Sequence, residues 1–330
     1  MADSISTGVK SRFLGRIGMG RNLVNFSIWF FLALMIILTG FLSKEFLTTT
    51  NIMNILREAV IVSVIAIGMS FVIIAGEFDL SSGAVLGLCA IVAVKMDPST
   101  PAGLALSLTV PLAVGVLCGL FTGFLVGYLK MNAFITTLGV QYLIYGITLL
   151  YTGGNHVYMK DISGIFYKIG NGYLGILPLS VIGLAGLLIL AQWVLSYTNF
   201  GQYVKTSGTN ARAAALSGVR VEKTKTIAFV ILGLCASLGG IVLASWIRRL
   251  EPSFGLRYSF EGITAVVLGG TSLLGGRGNI VNSFIGALLM LMVVNVMILF
   301  NISYNYQLLV RGLILIVAVT VEVIGRRRNG

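Results

Sequence analysis

Charge is scarce in this sequence: of 330 residues, 23 are Lys or Arg and 11 are Asp or Glu, a charged share of 10% where soluble domains carry about 25%. A water-facing surface cannot be assembled from so few ions, and a soluble globular domain is excluded. Proline is limited to five positions, which excludes collagen-like and proline-rich disordered sequence. The three cysteines, Cys89, Cys118 and Cys235, are odd in number, far apart and each inside an apolar run. They read as small hydrophobes rather than a disulfide framework, a zinc site or a redox pair. A single histidine, His156, has no second His or Cys near it, so no metal site is expected. What the chain does have is 57% hydrophobic residues, 41 glycines and a mean hydropathy of +0.96, the composition of helices packed closely in lipid.

A membrane-crossing helix needs about 20 apolar residues. Residues 98–129, 131–159, 169–204 and 278–310 contain no Asp, Glu, Lys or Arg, and shorter clean runs cover 22–43, 59–76 and 226–247. Splitting them at Gly, Pro and Asn clusters predicts an all-α polytopic membrane protein of about ten spans, beginning near Val24, Val60, Ser81, Leu104, Ala133, Leu177, Thr226, Gly262, Ile280 and Tyr306. The third and eighth are short and glycine-rich, as broken or re-entrant segments are. The organisation expected is a cytoplasmic tail at 1–23, one transmembrane domain at 24–325 with a cytoplasmic loop at 199–225, and a basic cytoplasmic end at 326–330. The first span has basic residues before it, like a secretory signal, but it is too long and lacks a cleavage site, so it reads as a retained anchor. With both termini inside, 14 Lys and Arg fall on the inner side and 9 on the outer, as the positive-inside rule requires. The net charge of +12 then faces lipid headgroups and membrane-adjacent partners, and a nucleic-acid role is excluded.

The longest inner polar stretch, Tyr203 to Lys225, holds a short helix with its own punctuation. Thr209 or Asn210 is placed to cap it, Ala211, Arg212, Ala213, Ala214 and Leu216 form it, and Gly218 is placed to end it in the left-handed conformation. Two turns are marginal in water alone, so the helix is expected either to dock on another protein or to serve as a membrane-surface connector. Span four carries Gly115, Gly119, Gly123 and Gly127 on one helical face. That spacing permits close helix packing, whether inside the bundle or at a homodimer or sliding interface.

The loop GGTSLLGGRG, Gly269 to Gly278, fails as a phosphate-binding P-loop. With Gly270 and Gly275 as its two glycines, Gly276 stands where Lys must reach the phosphates and Arg277 where Ser or Thr must hold magnesium. A backbone hinge or tight turn is expected instead, formed by Gly269, Gly270, Thr271, Ser272, Gly275 and Gly276. Five carboxylates, Glu58, Glu77, Asp79, Glu261 and Glu322, all fall at predicted span ends, where capping or hinge pairing outweighs a proton-relay role. No charge is expected at mid-span, and the chain shows no energy source of its own. Neutral polar groups within the spans, Ser63, Ser70, Thr136, Thr137, Gln141, Thr264, Asn282 and Asn295, suit recognition of a hydroxyl-rich solute and equally suit interhelical hydrogen bonds. Of these, Thr136, Thr137, Gln141, Thr264 and Asn295, with Glu261, are the candidates for a substrate path. No paired carboxylates, backed nucleophile or metal-spaced cluster appears, so no catalytic site is expected.

Several of these strings resemble one family, the membrane permeases of bacterial ABC importers for monosaccharides of the ribose, xylose, arabinose and galactose type, whose relatives import autoinducer-2. FDLSSGAVLGL carries Asp79, Leu80, Ser81 and Gly83; NAFITTLG spans Asn132 to Gly139; GTNARAAALSGVRVEKTK carries Asn210, Ala213, Ala214, Gly218 and Lys225. GITAVVLGGTSLLGG is the most specific string, and Asn295 and YQLLVRGLILI fit the last two helices. Glu77 stands where the family usually has Gly, Ser259 where an acid is common, and Ala211 and Arg212 where an acidic or polar pair is frequent. The resemblance implies a ten-helix fold similar to cobalamin-type (type II) importer permeases, in a bacterial inner membrane. It implies a second permease subunit, usually a copy, a substrate-binding protein outside, and a cytoplasmic ATPase of two nucleotide-binding halves that binds ATP and Mg and moves the helix at Asn210 to Gly218. Autoinducer-2 or another small polar solute is the alternative cargo, and an ion-coupled secondary transporter the alternative class.

Overall fold

The computed structural model describes residues 28–41, 43–159 and 164–327; the tail expected at 1–23, the span start near Val24 and residues 328–330 lie outside the described residues. The described chain is almost wholly helical: α1 (Ile28–Phe41), α2 (Thr49–Ile74), α3 (Ser82–Lys95), α4 (Pro101–Gly123), α5 (Ala133–Thr152), α6 (Ile165–Asn171), α7 (Leu179–Tyr197), α8 (Asn199–Thr209), α9 (Ala211–Leu216), α10 (Val221–Trp246), α11 (Arg257–Leu268), α12 (Ile280–Leu299) and α13 (Tyr304–Arg327). Seven of them, α2, α4, α5, α7, α10, α12 and α13, are long and apolar enough to cross a membrane, and the chain is a multi-pass membrane protein. The other three expected spans correspond to α1, α3 and α11. The last two are 14 and 12 residues long, the short pair anticipated from their glycine content.

Local chemistry sets the helix starts. Thr48, Thr100, Asn132 and Asn279 each accept a backbone N–H from the first turn of α2, α4, α5 and α12, satisfying donors that a helix start leaves open. Three spans begin five or more residues earlier than hydropathy alone indicates: α2 at Thr49 rather than Val60, α10 at Val221 rather than Thr226, and α11 at Arg257 rather than Gly262. The polar residues of those first turns find partners within the fold. Asn51 and Asn295 exchange hydrogen bonds of 3.0 and 2.8 Å, Arg57 donates to the Tyr173 hydroxyl at 2.6 Å, and Glu58 lies 3.5 Å from Arg257.

The core runs along α10, against which α2 and α3 both pack, and the buried faces of α2 include every residue from Ala59 to Ile74. A helix apolar all round is a buried one. The glycine stripe of α4 is consumed inside the chain, not at a dimer interface. A Cβ on Gly115 would strike the Gly233 carbonyl and one on Gly119 the Phe229 carbonyl, while on Gly123 and Gly127 it would fall 2.8 Å from Thr226 and Glu222 atoms, all on α10. Thr226 Oγ1 fastens the same seam by donating to the Gly123 carbonyl at 2.9 Å. All three cysteines are free, Cys89 and Cys235 fully buried. Away from the core, four two-residue strands pair as Val157–Tyr158 with Arg249–Leu250 and Tyr173–Leu174 with Leu177–Pro178, giving structure to a stretch expected only as an outer loop.

The expectation that all carboxylates sit at helix ends fails for Glu58 and Glu261. Because α2 and α11 begin earlier than expected, both lie within helices, and Glu261, 4% exposed, pairs with Arg311 of α13, 11% exposed. With the Glu58–Arg257 pair these form a charge network inside the bundle, where the sequence reading placed none.

Candidate functional site

The helix at 211–216 forms as the punctuation requires. Asn210, extended at φ −159° and ψ 100°, accepts the Ala213 N–H at 3.0 Å, so the cap is Asn210, while Thr209 ends α8 and turns its hydroxyl back to the Lys205 carbonyl. At the other end Gly218 takes φ +85°, and the N–H groups of Gly218 and Val219 donate to the carbonyls of Ala215 and Ala214, both at 3.0 Å. That is the paired closure of a Schellman cap. The faces are unequal: Ala211, Arg212, Ala213 and Gly218 are exposed, Leu216 is 85% exposed, and Ala214 is 5% exposed. Ala214 is therefore an anchor to the bundle and not part of the outward surface, a correction to the expected docking face.

The same cap closes α2 and α11 beside it. Gly76 at φ +86° and Glu77 return N–H groups to Ile73 and Val72, and Gly270 at φ +76° and Thr271 return theirs to Val267 and Val266. The string GGTSL thus begins as a helix terminus. Its continuation turns back through Ser272 and Gly275 until Gly276 N–H donates to the Ile74 carbonyl at 2.8 Å. The N–H groups of Gly270, Thr271, Ser272, Gly275 and Gly276 are all bound to carbonyls, so these five are committed to the turn and do not cradle a phosphate. The hinge residues are packed by backbone. A Cβ on Gly208 would strike the Ile74 carbonyl, one on Gly275 would lie 2.8 Å from Gly76 Cα, one on Gly276 would strike Thr209 Oγ1, and one on Gly269 would lie 2.6 Å from the Asn282 carbonyl. Glycines are required here because three chain segments, the ends of α2 and α8 and the loop 269–278, meet backbone to backbone.

Asp79, Ser81 and Gly83 form the turn into α3. Asp79 accepts the Ser82 N–H at 2.7 Å and the Ser81 hydroxyl at 3.0 Å. Ser259 of α11 accepts the Gly83 N–H and donates to the Leu80 carbonyl, each at 2.7 Å, and Thr137 of α5 accepts the Leu80 N–H at 3.1 Å. Sequence reasoning noted Ser259 only as a departure and missed that it stitches two helix starts together; spacing gives no sign of a bond 176 residues long. It missed likewise that Glu77 meets Lys225 of α10 at 2.5 Å.

The six path candidates do not assemble into one site. Thr137 serves the α3 turn, Asn295 pairs with Asn51, Thr264 donates to the Phe260 carbonyl of its own helix, and Glu261 belongs to the charge network. On α5, Thr136 Oγ1 and Gln141 Oε1 are buried without a hydrogen-bond partner. Among the network's atoms, Glu261 Oε2 and the Nε atoms of Arg257 and Arg311 are buried and unpartnered too. Among the described residues, no group of three or more His, Cys, Asp or Glu is placed to hold a metal ion.

The pattern of the family described as branched-chain amino acid transport system / permease component matches residues 51–319. The ribose import permease protein RbsC of Haemophilus influenzae is 34% identical over 92% of this chain and 94% of its own length. That of Bacillus subtilis is 36% identical over 88% and 90%, and the autoinducer 2 import system permease protein LsrC of Escherichia coli 32% identical over 89% and 85%. No solved structure matches the chain. With more than 250 consecutive positions of the bundle inside the family pattern and near-full-length relatives above 30% identity, the chain belongs to the family of branched-chain amino acid transport system / permease components.

Proposed function

We propose that this protein is the membrane permease subunit of an ATP-driven importer and forms the path for a small neutral solute, in first place a monosaccharide. The observation that carries the reading is the near-full-length similarity to ribose import permeases. The bundle agrees with it: an exposed, doubly capped helix α9 offers a docking point for a partner, and Thr136 and Gln141 keep hydrogen-bonding capacity without charge. ATP and Mg belong to a cytoplasmic ATPase with two nucleotide-binding halves, which engages the exposed face of α9, Arg212, Ala213 and Leu216. A substrate-binding protein delivers the solute from outside, a second permease subunit completes the path, and both termini of the chain face the cytoplasm. Autoinducer 2 is the second cargo, favoured by the similarity to LsrC.

The test is transport by the permease in liposomes with its ATPase and binding protein, using radiolabelled ribose. ATP-dependent accumulation is the expected result. Concentrative uptake by the permease alone, driven by a proton or sodium gradient, refutes the importer reading in favour of a secondary transporter.

A further inference from the structure

The junction beside α9 is built from Gly76, Gly208, Gly275 and Gly276, which meet as bare backbone. Gly76, at φ +86°, turns the corner after α2 in a conformation that glycine adopts without strain. Within the junction the Gly276 N–H ties loop 269–278 to α2 through the Ile74 carbonyl, while Glu77 ties the connector after α2 to α10. Its carboxylate meets Lys225 Nζ at 2.5 Å, with the two side chains 17% and 18% exposed. The neighbouring Lys130–Glu222 pair is looser and open to solvent, at 3.7 Å with exposures of 75% and 41%, and exposed pairs of that kind contribute little.

The position of this bond in the chain matters. Lys225 lies in the second turn of α10, the helix that follows α9 after four residues, 217–220. Glu77 is the third residue of the connector 75–81, which is bound further on at Leu80 by Thr137 of α5 and Ser259 of α11 and at Asp79 by the first residue of α3. From α9 to α3 the path of fixed contacts is thus short: α9, the first turns of α10, the Glu77–Lys225 bond, the connector, and the start of the half-length helix.

We propose that Glu77 is a positioning residue for transport, tying the α9–α10 segment to the connector through Lys225 so that displacement of α9 moves α3. The proposal rests on the importer reading. In the complete complex of permease, ATPase and binding protein in liposomes, Glu77→Gln is expected to lower the solute imported per ATP hydrolysed at least about five-fold, the lower end of the coupling found between linked sites, while ATP hydrolysis continues. Lys225→Gln acts on the same bond from α10, leaves the turn at 76–77 untouched, and is expected to give the same ratio, which keeps the test decisive if Glu77→Gln does not assemble. The exchanged pair Glu77→Lys with Lys225→Glu restores the ratio in part, and Lys130→Gln leaves it unchanged. A wild-type ratio in both single variants, or uptake and hydrolysis falling together so that the ratio holds, overturns the proposal. Absence of ATP-driven uptake in the unaltered complex refutes the importer reading instead.

Discussion

Gly218 permits a prediction in which backbone conformation is the single variable. It occupies φ +85°, and a Cβ built there meets no atom within 4 Å. Replacement by Ala therefore introduces no clash, and its cost is that of holding a non-glycine residue in the left-handed region, about 1–2 kcal/mol. Alanine also stiffens the uncapped chain, but where φ is positive the net effect remains destabilising. The bonds at risk are the N–H donations of Gly218 and Val219 to Ala215 and Ala214, so the population with an open cap should rise about 5–30-fold. Amide hydrogen exchange of the purified permease reads this directly: residues 218 and 219 should exchange faster by that factor in Gly218→Ala, with the amides of α2 and α10 unaffected. Gly218→Asn should fall between, because Asn visits the left-handed region with less strain. Exchange at wild-type rate in the Ala variant, or an Asn variant as fast as the Ala variant, would refute the assignment of the cost to backbone conformation.

Two further outcomes separate surface from support. Leu216→Glu should leave thermal stability within about 0.5 kcal/mol, as exposed substitutions do, yet reduce co-purification of the ATPase; Ala214→Leu, overpacking a 5% exposed position, should cost about 1–3 kcal/mol and lower the melting temperature, and the reverse pattern would place the docking face on the other side of α9. Ser259→Ala leaves the Leu80 carbonyl and the Gly83 N–H buried without the bonds Ser259 makes to them, about 1–3 kcal/mol for each group, so it should lower the melting temperature of the permease as well; an unchanged transition would mean that water replaces the hydroxyl.

Helix existence was legible in the sequence where hydrophobicity alone decides it: seven of the ten expected segments are helices long and apolar enough to cross a membrane, and the shorter α1, α3 and α11 stand at the other three. Helix starts were legible only where no polar turn precedes the apolar run. The first turns of α2 carry Asn51, Asn54, Arg57 and Glu58, which a hydropathy scan assigns to a loop, and only the fold shows that Asn295, Tyr173 and Arg257 receive three of them. The cap residues of α9 were readable because Asn and Gly act on neighbours within four residues. The Glu77–Lys225 bond was not, because it joins positions 148 apart and a charge at a helix end looks the same whether paired or solvated. Ala214 was misassigned for a related reason: alanine is equally at home on either face of a helix, and six residues give too little periodicity to tell the faces apart.

The distribution of buried hydroxyls follows from helix length more than from any solute. A hydrocarbon layer of about 30 Å is not crossed by α3 or α11, about 21 and 18 Å long at the α-helical rise. Each short helix leaves a terminus within the bundle, and a terminus away from water must have its open backbone groups satisfied. Asp79 and Ser259 do this for the start of α3, Thr137 for the connector before it, and the Gly270 cap for the end of α11. Of the polar groups that first suggested a solute path, Thr137 is therefore committed to supporting the start of a half-length helix. Of the six path candidates, Thr136 and Gln141 still hold buried oxygens with no partner, five residues apart on α5, a helix that packs against α3. A path lined there would sense the movement of α3 directly, so that the same short helix that needs Asp79 and Ser259 to exist would carry the motion of α9 to the solute.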